Sequence, residues 1–153
     1  MRPQGSHRLR KPFQTVLAVG LPDADERALR TILATMQWDA KLAANLSAGV
    51  RQLTSRSWPV VLCESSVPGG GWKVLREKTA VLSHPPALVV SSRLADEWLW
   101  AEVLNLGGYD VLPTPFDAGE VRTFSRMPRT PGGVESKCLL HLPKRRRRRP
   151  ARW

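Results

Sequence analysis

The residues that could carry chemistry are sparse, and the first of them form a glycine-rich stretch. Gly69, Gly70 and Gly71 are followed by Trp72 and Lys73. The backbone amides of consecutive glycines can cradle a phosphate, but a P-loop requires Gly-Lys-Ser/Thr at the start of a helix. Trp72 separates the last glycine from the lysine, so this stretch does not predict nucleotide binding.

Cysteine and histidine are too few to predict catalysis or a metal centre. The segment Cys138–His141 supplies half of a zinc site, and the sequence contains no second half. None of the three histidines stands where it would act as a base for Ser91 or Cys63. We therefore expect no catalytic residues and no metal ligands, and an enzyme is the least favoured class of function.

Five short apolar runs would position whatever site exists. They alternate with amphipathic stretches, which predicts a parallel β-sheet with helices on both faces. The loops at the carboxyl ends of such strands hold the ligands of open α/β folds. The pattern predicts a flavodoxin-like five-stranded sheet of order 2-1-3-4-5, with strands at 15–19, 40–46, 59–63, 87–90 and 110–112.

The helices between the runs are predicted from their caps and their apolar spacing. Asp23 with Glu26 and Asp117 with Glu120 have the spacing of a capping box, so they predict the starts of the first and fifth helices. Ser47 is a candidate cap for the second helix. The remaining helices are expected at about 47–56, 72–79 and 94–106.

Two motifs that follow the third and fifth strands resemble those of a known family. The first is Glu64-x-x-x-Pro68-Gly69-x-Gly71, and the second is the run from Pro113 to Asp117, which includes Thr114 and Pro115. In this order they are similar to the phosphoacceptor loop and the Lys-Pro-Phe motif of the receiver domain of bacterial two-component response regulators. The likeness runs from about residue 15 to 126. It implies the flavodoxin-like fold, and it implies a cis peptide bond between Thr114 and Pro115.

The same resemblance places this chain's residues at the family's phosphorylation site. Most of them differ from the family's pattern. Glu64 stands for the phosphoacceptor Asp, Gly20 and Leu21 for the acidic pair that holds Mg²⁺, Thr114 for the Lys, and Val111 for the aromatic switch residue, which Tyr109 precedes by two positions; Ser91 matches the family's Thr/Ser.

These differences predict a receiver-like domain that is degenerate at its phosphorylation site. Mg²⁺ usually takes one or two carboxylates with waters, and phosphoryl transfer needs that charge to be neutralised. Asp23 and Asp25 lie nearby, but we interpret them as a cap and a first-turn acid that the helix dipole favours. We therefore expect no Mg²⁺ cofactor and no phosphorylation by the family's route.

Glu64 has two interpretations. It could imitate aspartyl phosphate, although it brings about −1 charge and two oxygens, against about −2 and three for a phosphoryl group. Without the Lys, that imitation also lacks its partner. The favoured interpretation is a polar residue at a vestigial site, and the imitation stays open.

The net charge of +11 is unevenly distributed along the chain. Residues 1–14 carry +4, residues 15–127 carry −1, and residues 128–153 carry +8, including Arg145, Arg146, Arg147, Arg148 and Arg149. We predict a receiver-like domain at 15–127 between a basic segment at 1–14 and a basic, disordered one at 128–153. The arginine run could bind nucleic acid, an anionic membrane or acidic protein, or it could be solvated without a specific role.

The cellular location is predicted from the lack of membrane-spanning and secretory segments in the sequence. No apolar run is long enough for a transmembrane helix, and no signal-peptide h-region follows the basic start. Two cysteines cannot form a disulfide framework and are typical of a reducing compartment. A cytoplasmic location is expected.

Two tryptophans in the fourth helix are candidates for a contact surface. Trp98 and Trp100 are two residues apart and cannot both point inward, so one is expected to lie exposed. An exposed Trp is a plausible anchor for a partner. Tyr109 and Val111 belong to the same candidate surface.

The combined prediction is a stand-alone, degenerate receiver domain that acts in signalling through protein–protein contact. A histidine kinase, an effector, another regulator or a second copy of the chain are the expected partners. The alternative is a nucleic-acid or polyanion binder that uses Arg145–Arg149.

Overall fold

The structure, a computed structural model, describes residues 14–126. Parallel strands form one five-stranded sheet of order 2-1-3-4-5, which confirms the predicted flavodoxin-like fold. The strands are β1 (Gln14–Val19), β2 (Trp38–Ala43), β3 (Val60–Glu64), β4 (Ala87–Ser92) and β5 (Asp110–Pro113). The helices are α1 (Asp23–Thr35), α2 (Leu46–Leu53), α3 (Trp72–Ala80), α4 (Glu97–Asn105) and α5 (Ala118–Arg122), the last followed by a 3-10 helix (Thr123–Arg126).

The two faces of the sheet bury separate apolar clusters. Helices α2, α3 and α4 cover one face, where Trp72, Leu75 and Val103 pack. Helices α1 and α5 cover the other face, where Leu29 and Phe124 pack. The central strands β1, β3 and β4 are mostly apolar because they are buried on both faces.

Several element boundaries differ from those predicted. Strand β2 begins at Trp38 and ends at Ala43, because its ladder with β1 starts at the pair of Gln14 and Trp38. Gln14 is therefore part of the first strand and not of the basic segment before it. Helix α2 is capped by the side chain of Asn45, which accepts a hydrogen bond from the amide of Ala48, and not by Ser47.

Two further helix starts were predicted wrongly, and one was predicted correctly. Pro22, in an extended conformation, is the N-cap of α1, so Asp23 is its first helical residue and does not cap it. Helix α4 begins at Glu97 with Asp96 as cap, later than predicted. The predicted cap of α5 is confirmed, because Asp117 accepts a hydrogen bond from the amide of Glu120.

Three predictions concern segments outside the described residues. They are the basic segment before the first strand, the basic segment at 128–153, and the arginine run within it. Within residues 14–126, no helix has the length and the apolar character that crossing a membrane requires.

Candidate functional site

The carboxyl ends of the strands place Glu64 beside Ser91. The two residues are paired in the ladder between β3 and β4. Gly20 follows β1 directly, and Thr114 follows β5, where its amide donates to the carbonyl of Ser92 at 3.0 Å. The residues compared above with a phosphorylation site thus lie at one edge of the sheet, because parallel strands end at the same edge.

The Glu64 carboxylate accepts hydrogen bonds from three hydroxyl groups. Oε2 accepts from Ser91 Oγ at 3.2 Å, and Oε1 accepts from Ser65 Oγ at 3.3 Å and from Ser66 Oγ at 3.2 Å. These bonds satisfy most of the acceptor sites of a carboxylate, which number about four. They also join the loop after β3 to the end of β4.

The thiol beside this carboxylate is not a nucleophile at neutral pH. Cys63 is fully buried. Burial, together with the neighbouring charge of Glu64, raises the pKa of Cys63 to about 12. Because the thiolate is the reactive form of cysteine, the thiol is chemically quiet in the folded chain.

An apolar side chain occupies the space next to Gly20. Gly20 has φ +71°, and a Cβ built on it would lie 2.7 Å from Cγ2 of Val67. Val67 itself is buried in the cluster on the α2–α4 face. Leu21, the next residue, is buried in the cluster on the other face. The end of β1 is therefore packed with apolar groups.

Asp25 differs from its sequence-based interpretation as a solvated first-turn acid. Its side chain is 5% exposed, and it lies on the same stripe of α1 as the buried Leu29 and Leu33. Its Oδ2 and Oγ1 of Thr114 are buried with no hydrogen-bond partner among the described residues. Sequence spacing contained a signal for this burial, since positions 25, 29 and 33 recur every four residues.

The loop after β5 also has the geometry that the resemblance implied. The peptide bond between Thr114 and Pro115 is cis. Pro115 is exposed, and Thr114 is buried.

A shallow cavity of about 400 Å³ opens at this edge of the sheet. Its polar wall is formed by Glu64, Ser65 and Ser92, and its apolar wall by Val67 and Leu94. Within residues 14–126, no three His, Cys, Asp or Glu side chains come together as metal ligands would.

The two tryptophans of α4 have different environments. Trp98 is 85% exposed, whereas Trp100 packs against the buried cluster and its Nε1 donates to Oδ1 of Asp110 at 3.4 Å. The prediction that one of them lies exposed is confirmed. The exposed one has Leu94, at 81% exposure, four residues before it.

The other two residues of the predicted surface do not share a face. Val111 is buried among the residues of the α2–α4 face, and Tyr109 packs against the cluster on the α1/α5 face. Strand β5 begins at Asp110, so Tyr109 stands before the strand and does not follow its alternation. Within this set, Trp98 is the side chain that faces solvent.

Helix α4 makes polar contacts with α3 at two levels. Lys73 forms an ion pair with Glu102. One turn further, Arg76 Nε donates to the carbonyl of Leu106 at 2.7 Å, just after the end of α4. These contacts and the bond from Trp100 lie on the side of α4 that faces the rest of the domain, where Val103 is fully buried.

Asp110 gives this region a dependence on pH. Burial raises the pKa of Asp110, although bonds from the amide of Val111 and from Trp100 act in the opposite direction. A carboxyl group whose pKa is higher in the folded chain than in the unfolded chain destabilises the fold when it is ionised, and this penalty disappears as the pH falls below the unfolded value.

We therefore expect Asp110→Asn to stabilise the chain at neutral pH. The amide oxygen of Asn still accepts from Trp100 and Val111, but it carries no buried charge. The gain should shrink as the pH falls towards the ordinary range of an Asp. Urea unfolding of both chains at a series of pH values measures it, and a gain that grows towards acid pH would contradict this explanation.

Comparisons with known proteins show the fold. No protein-family model matches the sequence, and no curated protein matches it. Many solved structures do match, and they include response regulators and receiver domains.

Three of these structures illustrate the similarity. The chemotaxis response regulator CheY4 of Vibrio cholerae is 15% identical, with a TM-score of 0.65 over 74% of this chain and 98% of that chain. A putative response regulator from Chloroflexus aurantiacus is 19% identical, with a TM-score of 0.66 over 74% and 95% of the two chains. The receiver domain of a sensor histidine kinase from Pseudomonas aeruginosa, which has magnesium coordinated in its active-site cleft, is 18% identical, with a TM-score of 0.64 over 74% and 96%. The chain has the receiver-domain fold.

Proposed function

We propose that this chain is a receiver-type signalling module that acts by binding a partner protein through the start of α4, without phosphorylation of Glu64. The observation that carries the proposal is the exposure of Trp98 and Leu94, at 85% and 81%. Isolated exposed apolar residues are ordinary, but here two large ones lie close together in sequence, Leu94 in the loop before α4 and Trp98 in its first turn. Trp is also the side chain most enriched among the residues that dominate binding energy.

The packing at the end of β1 supports the second part of the proposal. A site for Mg²⁺ needs oxygen ligands where this chain has Gly20 and Leu21, and Val67 fills the adjoining space. Glu64 accepts from three hydroxyls, and Thr114 provides no positive charge. Without a metal ion or a cationic side chain, no positive charge stabilises the negative charge that develops during phosphoryl transfer.

The module is proposed to have no enzymatic activity of its own. Cys63 is buried and its pKa is raised. Within the described residues, no histidine forms a hydrogen bond with Ser91 or Glu64. The partner is a signalling protein, namely a histidine kinase, an effector or another regulator. A second copy of the chain is the alternative partner.

Capture of partners with matched variants tests this function. The full chain is immobilised and exposed to a lysate of the organism that encodes it, in parallel with Trp98→Ala and Val81→Ala. Val81 is 83% exposed and follows the end of α3, so it is a control at the opposite edge of the sheet. We expect Trp98→Ala to reduce capture of a specific protein about tenfold or more, as a hot-spot residue would. Equal capture by both variants would exclude this surface.

The second candidate function is polyanion binding, and the five consecutive arginines favour it. It makes a different prediction for the same experiment. Capture that a nuclease abolishes, that falls steeply with salt and that needs residues 144–153 would assign the function to the arginine run.

A further inference from the structure

The start of α4 combines an aromatic side chain with acidic ones. Trp98 and Leu94 are exposed, and the residues between them include Asp96 and Glu97, which are exposed as well. We call Leu94, Asp96, Glu97 and Trp98 the α4-start surface. Asp96 caps the helix, since its Oδ1 accepts a hydrogen bond from the amide of Leu99, and Glu97 is the first helical residue, directly before Trp98.

Other elements place further acidic residues at the same edge of the sheet. The first turns or caps of α1 and α5 lie at that edge, and they supply Asp23, Glu26, Asp117 and Glu120. Glu64 ends β3 there. Arg93 is the cation of the loop before α4, and Lys73 at the start of α3 is paired with Glu102. The edge as a whole therefore favours a cationic ligand.

An aromatic ring beside carboxylates is chemistry that suits the guanidinium group. Arginine stacks its planar group on an indole while its N–H groups donate to carboxylate oxygens. The chain itself shows the stacking part of this contact, since Arg56 lies 4.1 Å from the centre of the Trp58 ring.

An arginine-rich ligand is present in the same polypeptide. Residues 128–153 carry +8, and Arg145–Arg149 are consecutive. Arg145 is nineteen residues beyond Arg126. A fully extended chain of this length spans up to about 60 Å. A domain of about 110 residues has a radius of gyration of only about 13 Å, so every point of its surface is within reach.

We infer that Arg145–Arg149 bind to the α4-start surface of the same chain and cover Trp98. Covalent connection makes the local concentration of the arginines about millimolar, so individually weak contacts suffice to occupy the surface. Occupancy would compete with the partner, which makes the arginine run an internal regulator of binding. This inference rests on the proposed function, because both assign binding to the α4-start surface.

Limited trypsin digestion of the full chain tests the intramolecular contact, because trypsin cleaves after arginine. Intact-mass spectrometry follows cleavage within 144–149 in the unaltered chain, in Trp98→Ala, in the double variant Asp96→Asn and Glu97→Gln, and in Val81→Ala as control. Asn caps helices as well as Asp does, so the double variant keeps α4 intact while it removes two charges. We expect cleavage to be about tenfold slower in the unaltered chain and in the control than in the other two at low salt.

Salt and protein concentration complete the test. The protection should be lost at about 1 M salt, where the Debye length is about 3 Å. It should not change with protein concentration, because the contact is intramolecular. Cleavage that is equally fast in all variants would overturn the inference, and so would protection that appears only at high protein concentration, since that indicates binding between copies. The digestion needs no partner, so its failure leaves the capture result with Trp98→Ala to decide the proposed function separately.

Discussion

Acetyl phosphate with millimolar Mg²⁺ is expected to leave the mass of the purified chain unchanged. The reaction needs a metal and a cation to neutralise the developing charge, and the resemblance to receivers aligns Gly20, Leu21 and Thr114 with the residues that would supply them. The loss of even one stabilising group of this kind costs about a hundredfold to a thousandfold in rate. The side chain of Glu64 is also longer than that of Asp, so we expect its carboxylate to be out of position for in-line attack. Intact-mass spectrometry measures the outcome directly.

The controls for this experiment are a receiver domain that accepts phosphate and the variant Glu64→Gln. The receiver shows that the reagent is active. A gain of one phosphoryl group on the unaltered chain that disappears with Glu64→Gln would show that Glu64 is a phosphoacceptor and would overturn the proposal of a silent site.

Introducing the receiver family's residues tests why the chain is expected not to accept phosphate. The quadruple variant Gly20→Asp, Leu21→Asp, Glu64→Asp and Thr114→Lys contains every group that the site requires. The packing nevertheless opposes it, because a Cβ at Gly20 would lie 2.7 Å from Val67 Cγ2. We expect measurable Mg²⁺ binding only after Val67→Ala is added, and calorimetric titration with Mg²⁺ distinguishes the two variants. Strong Mg²⁺ binding by the quadruple variant alone would show that the side chain of Val67 moves aside without cost.

The second large effect is expected in stability, from a matched pair of tryptophan substitutions. Trp72 is 3% exposed within the cluster on the α2–α4 face, whereas Trp98 is 85% exposed. We expect Trp72→Ala to lower the free energy of unfolding by about 3–5 kcal/mol, because it removes buried surface and leaves a cavity. For a domain whose total stability is about 5–15 kcal/mol, that loss approaches unfolding.

Trp98→Ala should change the free energy of unfolding by no more than about 0.5 kcal/mol. Urea denaturation followed by circular dichroism compares the two variants under the same conditions. A large loss with Trp98→Ala would mean that this side chain supports the fold, and the capture and digestion experiments with that variant would lose their interpretation. A loss below about 1 kcal/mol with Trp72→Ala would contradict the packing described here.

The order and type of the elements follow from local patterns in the chain. The runs that became β1, β3 and β4 are apolar and rich in β-branched residues, as is typical of strands buried on both faces. Five such runs separated by amphipathic stretches leave few topologies, because crossovers between parallel strands are right-handed. The cap at Asp117 and the cis bond before Pro115 were likewise predictable, the first from spacing and the second from the resemblance.

Side-chain environments depended on the tertiary structure, because they are set by contacts between segments distant in sequence. Asp25 is buried because α1 turns that stripe towards the sheet. Trp100 and not Trp98 is the inward tryptophan, because α4 packs on the sheet through the side that carries Trp100 and the buried Val103.

The sequence by itself determined the fold and the edge of the sheet at which Glu64, Ser91 and Thr114 lie. Only the tertiary structure decided that Val67 fills the space beside Gly20 and that Trp98 is left at an acidic edge. The physical reason is that strand order and strand ends follow from periodicity along the chain, whereas the contents of a pocket depend on which side chains from separate loops reach the same volume.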